Sequence, residues 1–300
     1  MSRPGDAPPL SLLWRGPLDS CNYGCAYCPF AKRRARPEVL AADRAALTRF
    51  TDWALAYRRG RLSVLFTPWG EGLVHGWYRA ALTALSHAPH IDQVAIQTNG
   101  STAMEWTAGA DRSRLALWIT WHPTEIGRER FLAQVGRLTA LEVRFSVGCV
   151  ALPAHLELIE GLRRRLPPGV PLWLNAQRPG GRYDAEQVAR FTAIDPRFPL
   201  DLRAHPSGGR ACATGDTVLA VDGDGDLRRC HFVDRVLGNL YRDDLDTLLR
   251  PRSCPRSRCD CFIGYAHLEH LDLRAVYGDG LLARIPRAAT LEPVEEPAHG

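Results

Sequence analysis

Cys21, Cys25 and Cys28 stand as C-x3-C-x2-C directly after the apolar run Leu10–Trp14. Three thiolates at this spacing can close around one four-iron cube and leave its fourth iron without a protein ligand. An open iron can hold a substrate or cofactor, whereas a four-cysteine site is saturated and suits electron transfer or structure. Half of a zinc site is the alternative, although zinc knuckles favour paired C-x2-C hooks over such a triad.

Five more cysteines gather late in the chain. Cys212, Gly225 and Cys230 fit C-x12-G-x4-C, followed by Cys254 and by Cys259-Asp260-Cys261. Four of those thiols could hold a structural zinc. Cys149 lies inside an apolar run away from both groups and reads as a small core residue. His231, His122 and Tyr27 are the candidates for a general base, against a plain structural role as hydrogen-bonding groups.

These thiols must be carried by a scaffold, and the pattern supplies one. Six short apolar runs, Leu10–Trp14, Leu62–Thr67, Gln93–Thr98, Leu115–Trp121, Glu142–Val150 and Val170–Asn175, have the look of buried parallel strands. Helix patterns alternate with them. Leu40, Leu47, Phe50, Ala54 and Tyr57 repeat at helical spacing, as do Leu158, Leu162 and Leu166, and Asp184 with Gln187 forms a capping-box start. A third helix is expected after Asn99-Gly100-Ser101. The series predicts a parallel α/β domain, either an open doubly wound sheet or a partial barrel. Either fold builds its site from loops at the carboxyl ends of the strands.

After residue 200 the character changes. Thr217–Val221 and Leu227–Phe232 flank Asp222-Gly223-Asp224-Gly225-Asp226, a hairpin signal. The three aspartates mimic the start of a calcium loop, but no glutamate stands at its twelfth position. A short helix is expected near Asp243–Leu249, then a tail whose last ten residues read as disordered.

Composition bounds the rest. The 300 residues are 45% hydrophobic and 24% charged, as in an ordinary soluble globule. The net charge of +5 is carried almost wholly by arginine, Lys32 being the one lysine. The run Lys32-Arg33-Arg34-Ala35-Arg36 is either a solvated loop or a screen for a negatively charged cluster or substrate. No signal peptide and no membrane-length apolar stretch is visible, so a cytoplasmic, reducing compartment is expected, where clustered cysteines bind metal.

Cys21-Asn22-Tyr23-Gly24-Cys25-Ala26-Tyr27-Cys28-Pro29 resembles the signature of radical S-adenosylmethionine (radical SAM) enzymes, including the aromatic Tyr27 before the third cysteine. Thr67-Pro68-Trp69-Gly70-Glu71 resembles that family's Gly-Gly-Glu motif, with Trp69 in place of the first glycine. The resemblance implies that Gly70 and Glu71 meet the SAM ammonium. Thr98-Asn99-Gly100 resembles the family's Thr-Asn-Gly turn, and Thr120 ends the fourth strand where relatives carry a small hydroxyl. Arg144-Phe145-Ser146 resembles the segment whose arginine pairs with the SAM carboxylate, a task that suits a bidentate fork.

The late cysteines resemble the SPASM extension in its shorter Twitch form, which holds one auxiliary four-iron cluster. The resemblance implies Cys212 and Cys230 as ligands, completed by two of Cys254, Cys259 and Cys261. It spans roughly residues 10–265 and implies a partial (β/α)6 TIM-like barrel over 8–200, a Twitch-like domain over 201–270 and a tail over 271–300.

The implied chemistry is reductive cleavage of SAM to a 5′-deoxyadenosyl radical, which abstracts hydrogen from a peptide or small-molecule substrate for oxidation or crosslinking. A flavodoxin- or ferredoxin-type donor would supply the electron. With the first strand near residue 10, a peptide substrate would need a separate leader-binding protein or the C-terminal tail. The alternatives are an RNA-modifying radical SAM enzyme, for which no aromatic-interleaved basic stripe is seen, and a non-catalytic iron–sulfur carrier. A carrier would need no Glu71, Thr120 and Arg144 constellation.

Overall fold

A computed structural model describes residues 8–178 and 180–287. The last ten residues, read above as disordered, lie outside the described residues. Six strands arrive in series: β1 (Leu10–Arg15), β2 (Leu62–Phe66), β3 (Ile91–Thr98), β4 (Leu115–Thr120), β5 (Arg144–Ala151) and β6 (Leu172–Ala176). They pair in sequence order, every pair parallel. Helices α1 (Pro37–Ala56), α2 (Gly76–His87), α3 (Arg128–Ala140), α4 (Leu156–Arg165) and α5 (Ala185–Ile194) connect or follow them.

Each strand buries both faces, as a parallel sheet between two layers must. Leu12 and Trp14, Val64 and Phe66, Val94 and Ile96, and Leu117 and Ile119 face the helices in one core. The alternate residues Leu13, Leu65, Ala95, Ala116, Trp118 and Trp173 face a second core on the other side. Small side chains at Ala95 and Ala116 leave room there. Gly148 on β5 serves the same end, because a Cβ at that position would sit 2.0 Å from the Trp173 ring.

The space is filled from the far end of the chain. After α6 (Phe198–Asp201), β7 (His205–Pro206), β8 (Val218–Asp222), β9 (Asp226–Arg228), β10 (Val236–Asn239), α7 (Leu245–Leu248) and β11 (Arg258–Cys259) come α8 (Phe262–Tyr265), α9 (Leu273–Tyr277) and a 3-10 turn over Gly278–Ala283. Phe262, Ile263, Leu273, Tyr277, Leu281 and Leu282 are buried in the second core. The described part of the expected tail is therefore interior structure. Its apolar side chains have no other surface large enough to cover them.

The hairpin expected around Asp222–Asp226 is present, with Asp222 Oδ1 accepting from the backbone N–H groups of Asp224 and Asp226. It does not stand apart from the barrel. β8 pairs in parallel with β1, giving one nine-stranded sheet in the order β10-β9-β8-β1-β2-β3-β4-β5-β6. The β1 edge that a six-stranded open barrel leaves unpaired is covered in this way. A separate two-stranded sheet joins β7 to β11.

The capping box of Asp184 and Gln187 opens α5 as expected, and Asp244 caps α7. Two helix readings differ. After Gly100 only a 3-10 segment forms, Glu105–Gly109, in which the Thr107 hydroxyl bonds back to the Met104 carbonyl. On α4 the buried stripe is Leu156, Ile159 and Leu162, while Leu158 is 44% exposed. Among the described residues no helix is long and apolar enough to cross a membrane.

Candidate functional site

The carboxyl ends of the parallel strands open into a cavity of about 260 Å³. The loop leaving β1 brings Cys21, Cys25, Cys28 and Tyr27 to it, and the β2 turn brings Gly70 and Glu71. Asn99 comes from the end of β3 and Thr120 from the end of β4. The loop after Cys28 folds back on the triad. The Cys21 N–H donates to the Arg33 carbonyl (2.9 Å), and Lys32 Nζ donates to the Cys28 carbonyl (2.6 Å). Burial pushes the Cys25 thiol up to about 12 and raises Cys21 and Cys28. One buried and two half-buried thiols with raised pKa become thiolates together where a metal supplies the compensating charge, so the donor set suits an iron–sulfur cube. Among the described residues no three such donors converge on a single-ion position. A cube binds each thiolate at a different iron and does not require that convergence.

The departure at Trp69 is resolved by where its ring points. It is 41% exposed, stacked under the Arg15 guanidinium at 4.5 Å and edge-on to Phe30. The strict requirement falls on Gly70, where a Cβ would lie 1.8 Å from the Ser20 carbonyl oxygen. That close approach lets the Glu71 N–H donate to Ser20 (2.9 Å) and fixes the β2 turn against the cysteine loop.

Glu71 is buried, and its carboxylate accepts from the Leu73 N–H, the Thr98 hydroxyl and the Asn99 N–H. Burial pushes it up to about 7 against these three hydrogen bonds. It clamps the β2 turn to the β3 turn. Asn99 in turn donates to Asn22 Oδ1 at 3.0 Å, inside the cysteine loop. Three sequence motifs thus meet in one hydrogen-bonded unit.

Tyr27 stacks on His122, with its hydroxyl 3.1 Å from Nδ1. Burial lowers His122 to about 4, so the ring is neutral at physiological pH. Both line the cavity. His231 does not. It is bonded to the Thr67 hydroxyl (3.0 Å) in a separate cavity at the carboxyl ends of β1 and β8, with Arg15 and Trp69.

Arg144 is not brought to the site. It opens β5, at the amino ends of the strands, and donates to the Ser113 carbonyl at 3.1 Å. Side chains at opposite ends of one eight-residue strand cannot share a ligand this small. If the cavity takes SAM, as the motif resemblance implies, Arg144→Ala should leave that affinity within twofold of the parent, as measured by equilibrium dialysis. A tenfold loss would put the arginine back in the pocket.

Several cavity residues carry no local signal in the sequence. Trp118 and Trp173 form a T-shaped pair at 5.4 Å, closed by Phe262. Asn175 ends β6, and Arg178 lies between Asp201 (3.7 Å) and Asp260 (3.3 Å). Asp201 also accepts from the Ala176 N–H and the Tyr265 hydroxyl. Asn175 was within reach of the rule that strand carboxyl ends build sites. Asp201 and Phe262 were not, since only the tertiary fold brings them there.

Among the later cysteines, Cys212 lies 3.1 Å from the Thr214 hydroxyl. Arg229, beside Cys230, donates to that hydroxyl and to the Ser253 carbonyl, tying the hairpin to the segment that carries Cys254. Cys149 is buried in the first core, as expected for a packing residue.

No family model and no curated protein matches the chain. Solved structures do. Native anSMEcpe with bound AdoMet aligns at TM-score 0.54 and 15% identity over 80% of each chain. The same protein with AdoMet and a Kp18Cys peptide gives 0.55 and 16%, again over 80% of each. BtrN in complex with AdoMet and 2-DOIA aligns at only 0.34, with 15% identity, over 80% of this chain and 81% of that one. The anSMEcpe structures are of radical SAM enzymes. The chain shares the fold of the anSMEcpe structures, a partial barrel of parallel strands.

Proposed function

We propose that the chain is a radical SAM enzyme acting on a peptide or small molecule. The observation that carries this is the meeting of Cys21, Cys25 and Cys28 with the Gly70-Glu71 and Asn99 turns at the mouth of one barrel cavity. Cys21, Cys25 and Cys28 would hold a four-iron cube, which together with SAM would supply a 5′-deoxyadenosyl radical for hydrogen abstraction.

The chain's own residues do the rest. The β2 turn offers backbone carbonyls to the SAM ammonium, and Glu71 holds that turn in place. Tyr27 and His122 form a stacked aromatic wall, and Thr120 adds a hydroxyl. Trp118, Trp173 and Phe262 give the far end an apolar lining that excludes water from a reactive radical. The group that meets the SAM carboxylate is not Arg144. The late cysteines hold an auxiliary four-iron cluster, and an acidic flavodoxin- or ferredoxin-type donor delivers the electron near the exposed Lys32, Arg34 and Arg36.

The test is anaerobic reconstitution with iron and sulfide, followed by dithionite and SAM. Methionine and 5′-deoxyadenosine should form in equal amounts. An iron-loaded protein that leaves SAM intact, while passing electrons to an acceptor, would be a carrier.

A further inference from the structure

The five late cysteines divide in space. Cys212, Cys230 and Cys254 gather around the hairpin: Arg229, next to Cys230, donates to the Thr214 hydroxyl that lies 3.1 Å from the Cys212 thiol and to the carbonyl of Ser253, next to Cys254. Cys259 belongs with them. Its Sγ lies over Gly264, where a Cβ would come within 2.6 Å of it and 3.1 Å of the Phe232 ring, two residues after Cys230. Cys261 looks the other way. It lines the barrel cavity, as do Cys21, Cys25 and Cys28, and its charged neighbours are Asp201, Arg178 and Asp260. The backbone holds Cys261 firmly, since its carbonyl accepts from the Gly264 N–H (2.8 Å) and the Tyr265 N–H (2.9 Å) at the start of α8.

We propose that the auxiliary cluster closes on Cys212, Cys230, Cys254 and Cys259, and that Cys261 stays a free thiol on the substrate side of the barrel cavity. Four thiolates saturate a cube, so no iron is left for a fifth. The inference rests on the radical SAM reading for the cavity's role, but the division of the cysteines stands on their positions alone. It gives the cavity a thiol beside Phe262 and the Arg178–Asp201 pair, in the space that the cysteine triad also lines. A substrate lodged there touches sulfur within two residues of a cluster ligand.

The test uses the reconstituted full chain. Cys261→Ala should keep about eight irons per chain and the parent's visible absorbance, whereas Cys259→Ala should fall to about four. In the parent, anaerobic iodoacetamide followed by peptide mass spectrometry should modify Cys261 and spare the four ligands. SAM at ten times its Kd should slow that modification about tenfold by sharing the cavity. Loss of half the iron in Cys261→Ala, or alkylation of Cys254 or Cys259 in place of Cys261, overturns the assignment. Alkylation of Cys261 at a rate indifferent to bound SAM overturns its place in the cavity. If the parent fails to cleave SAM, the radical SAM reading fails, and the iron counts still decide the division. Should Cys259→Ala prove insoluble, Cys254→Ala makes the same comparison.

Discussion

Replacing Cys21, Cys25 and Cys28 together by alanine should lower the iron of the reconstituted protein from about eight to about four per chain and abolish 5′-deoxyadenosine formation. The effect is expected to be complete because no other side chain in the cavity offers a soft ligand set. The neighbouring donors are the amide of Asn99, the hydroxyls of Tyr27 and Thr120, the single imidazole of His122, the carboxylates of Glu71, Asp201 and Asp260, and the single thiol Cys261. The fold should survive, since the triad lies on a loop that is also held by Glu71 N–H to Ser20 and Cys21 N–H to Arg33. Iron assay and liquid chromatography of the nucleoside products check both halves. An unchanged iron count would mean that the loop binds no cube.

Arg284→Leu should cost about 3–5 kcal/mol, the range for breaking a buried charge network by removing one partner. Arg284 is 1% exposed, donates to Asn175 Oδ1 at 2.6 Å, and lies over the Phe262 and Trp173 rings at 4.1 and 4.6 Å. Burial raises the Asp195 carboxyl, and the Arg284 charge works against that rise. Without the arginine Asp195 moves higher still, so the native state holds a proton that the unfolded chain releases. The variant should therefore lose further stability as pH rises above the unfolded carboxylate range. Urea melts at two pH values measure this. A deficit under about 1 kcal/mol would show that the guanidinium is dispensable packing.

The cysteine triad and the six-strand series were legible because each is local. Continuous apolar runs report burial on both faces, and C-x3-C-x2-C reports a ligand loop whatever surrounds it. Even the Trp69 departure was harmless, since the close approach to Ser20 constrains Gly70 alone. Arg144 misled because a motif gives a residue type without saying which end of its strand it occupies. The extension of the sheet by β8 was hidden for another reason. The run Val218–Asp222 looks the same whether it pairs only with its hairpin partner or also with β1, and just the edge left by the barrel decides. The interior role of Leu273–Ala283 was likewise invisible, because short helical turns in a glycine-bearing segment give no periodicity to read.

That filling of the barrel from the far end of the chain sets an order on biogenesis. Ser11 pairs with Val218, and the inner faces of β2, β3 and β4 are covered by residues near 281. On the ribosome, the first two hundred residues can form strands and outer helices while the hollow beneath the cysteine loop remains uncovered. Contacts of such long sequence separation form late and slowly. Iron inserted before synthesis reaches Arg284 would meet a water-filled, floorless vessel. Chaperone residence and cluster delivery should therefore follow synthesis of residues 273–284, and a stop just before them should yield a chain that carries every cysteine and stays unloaded.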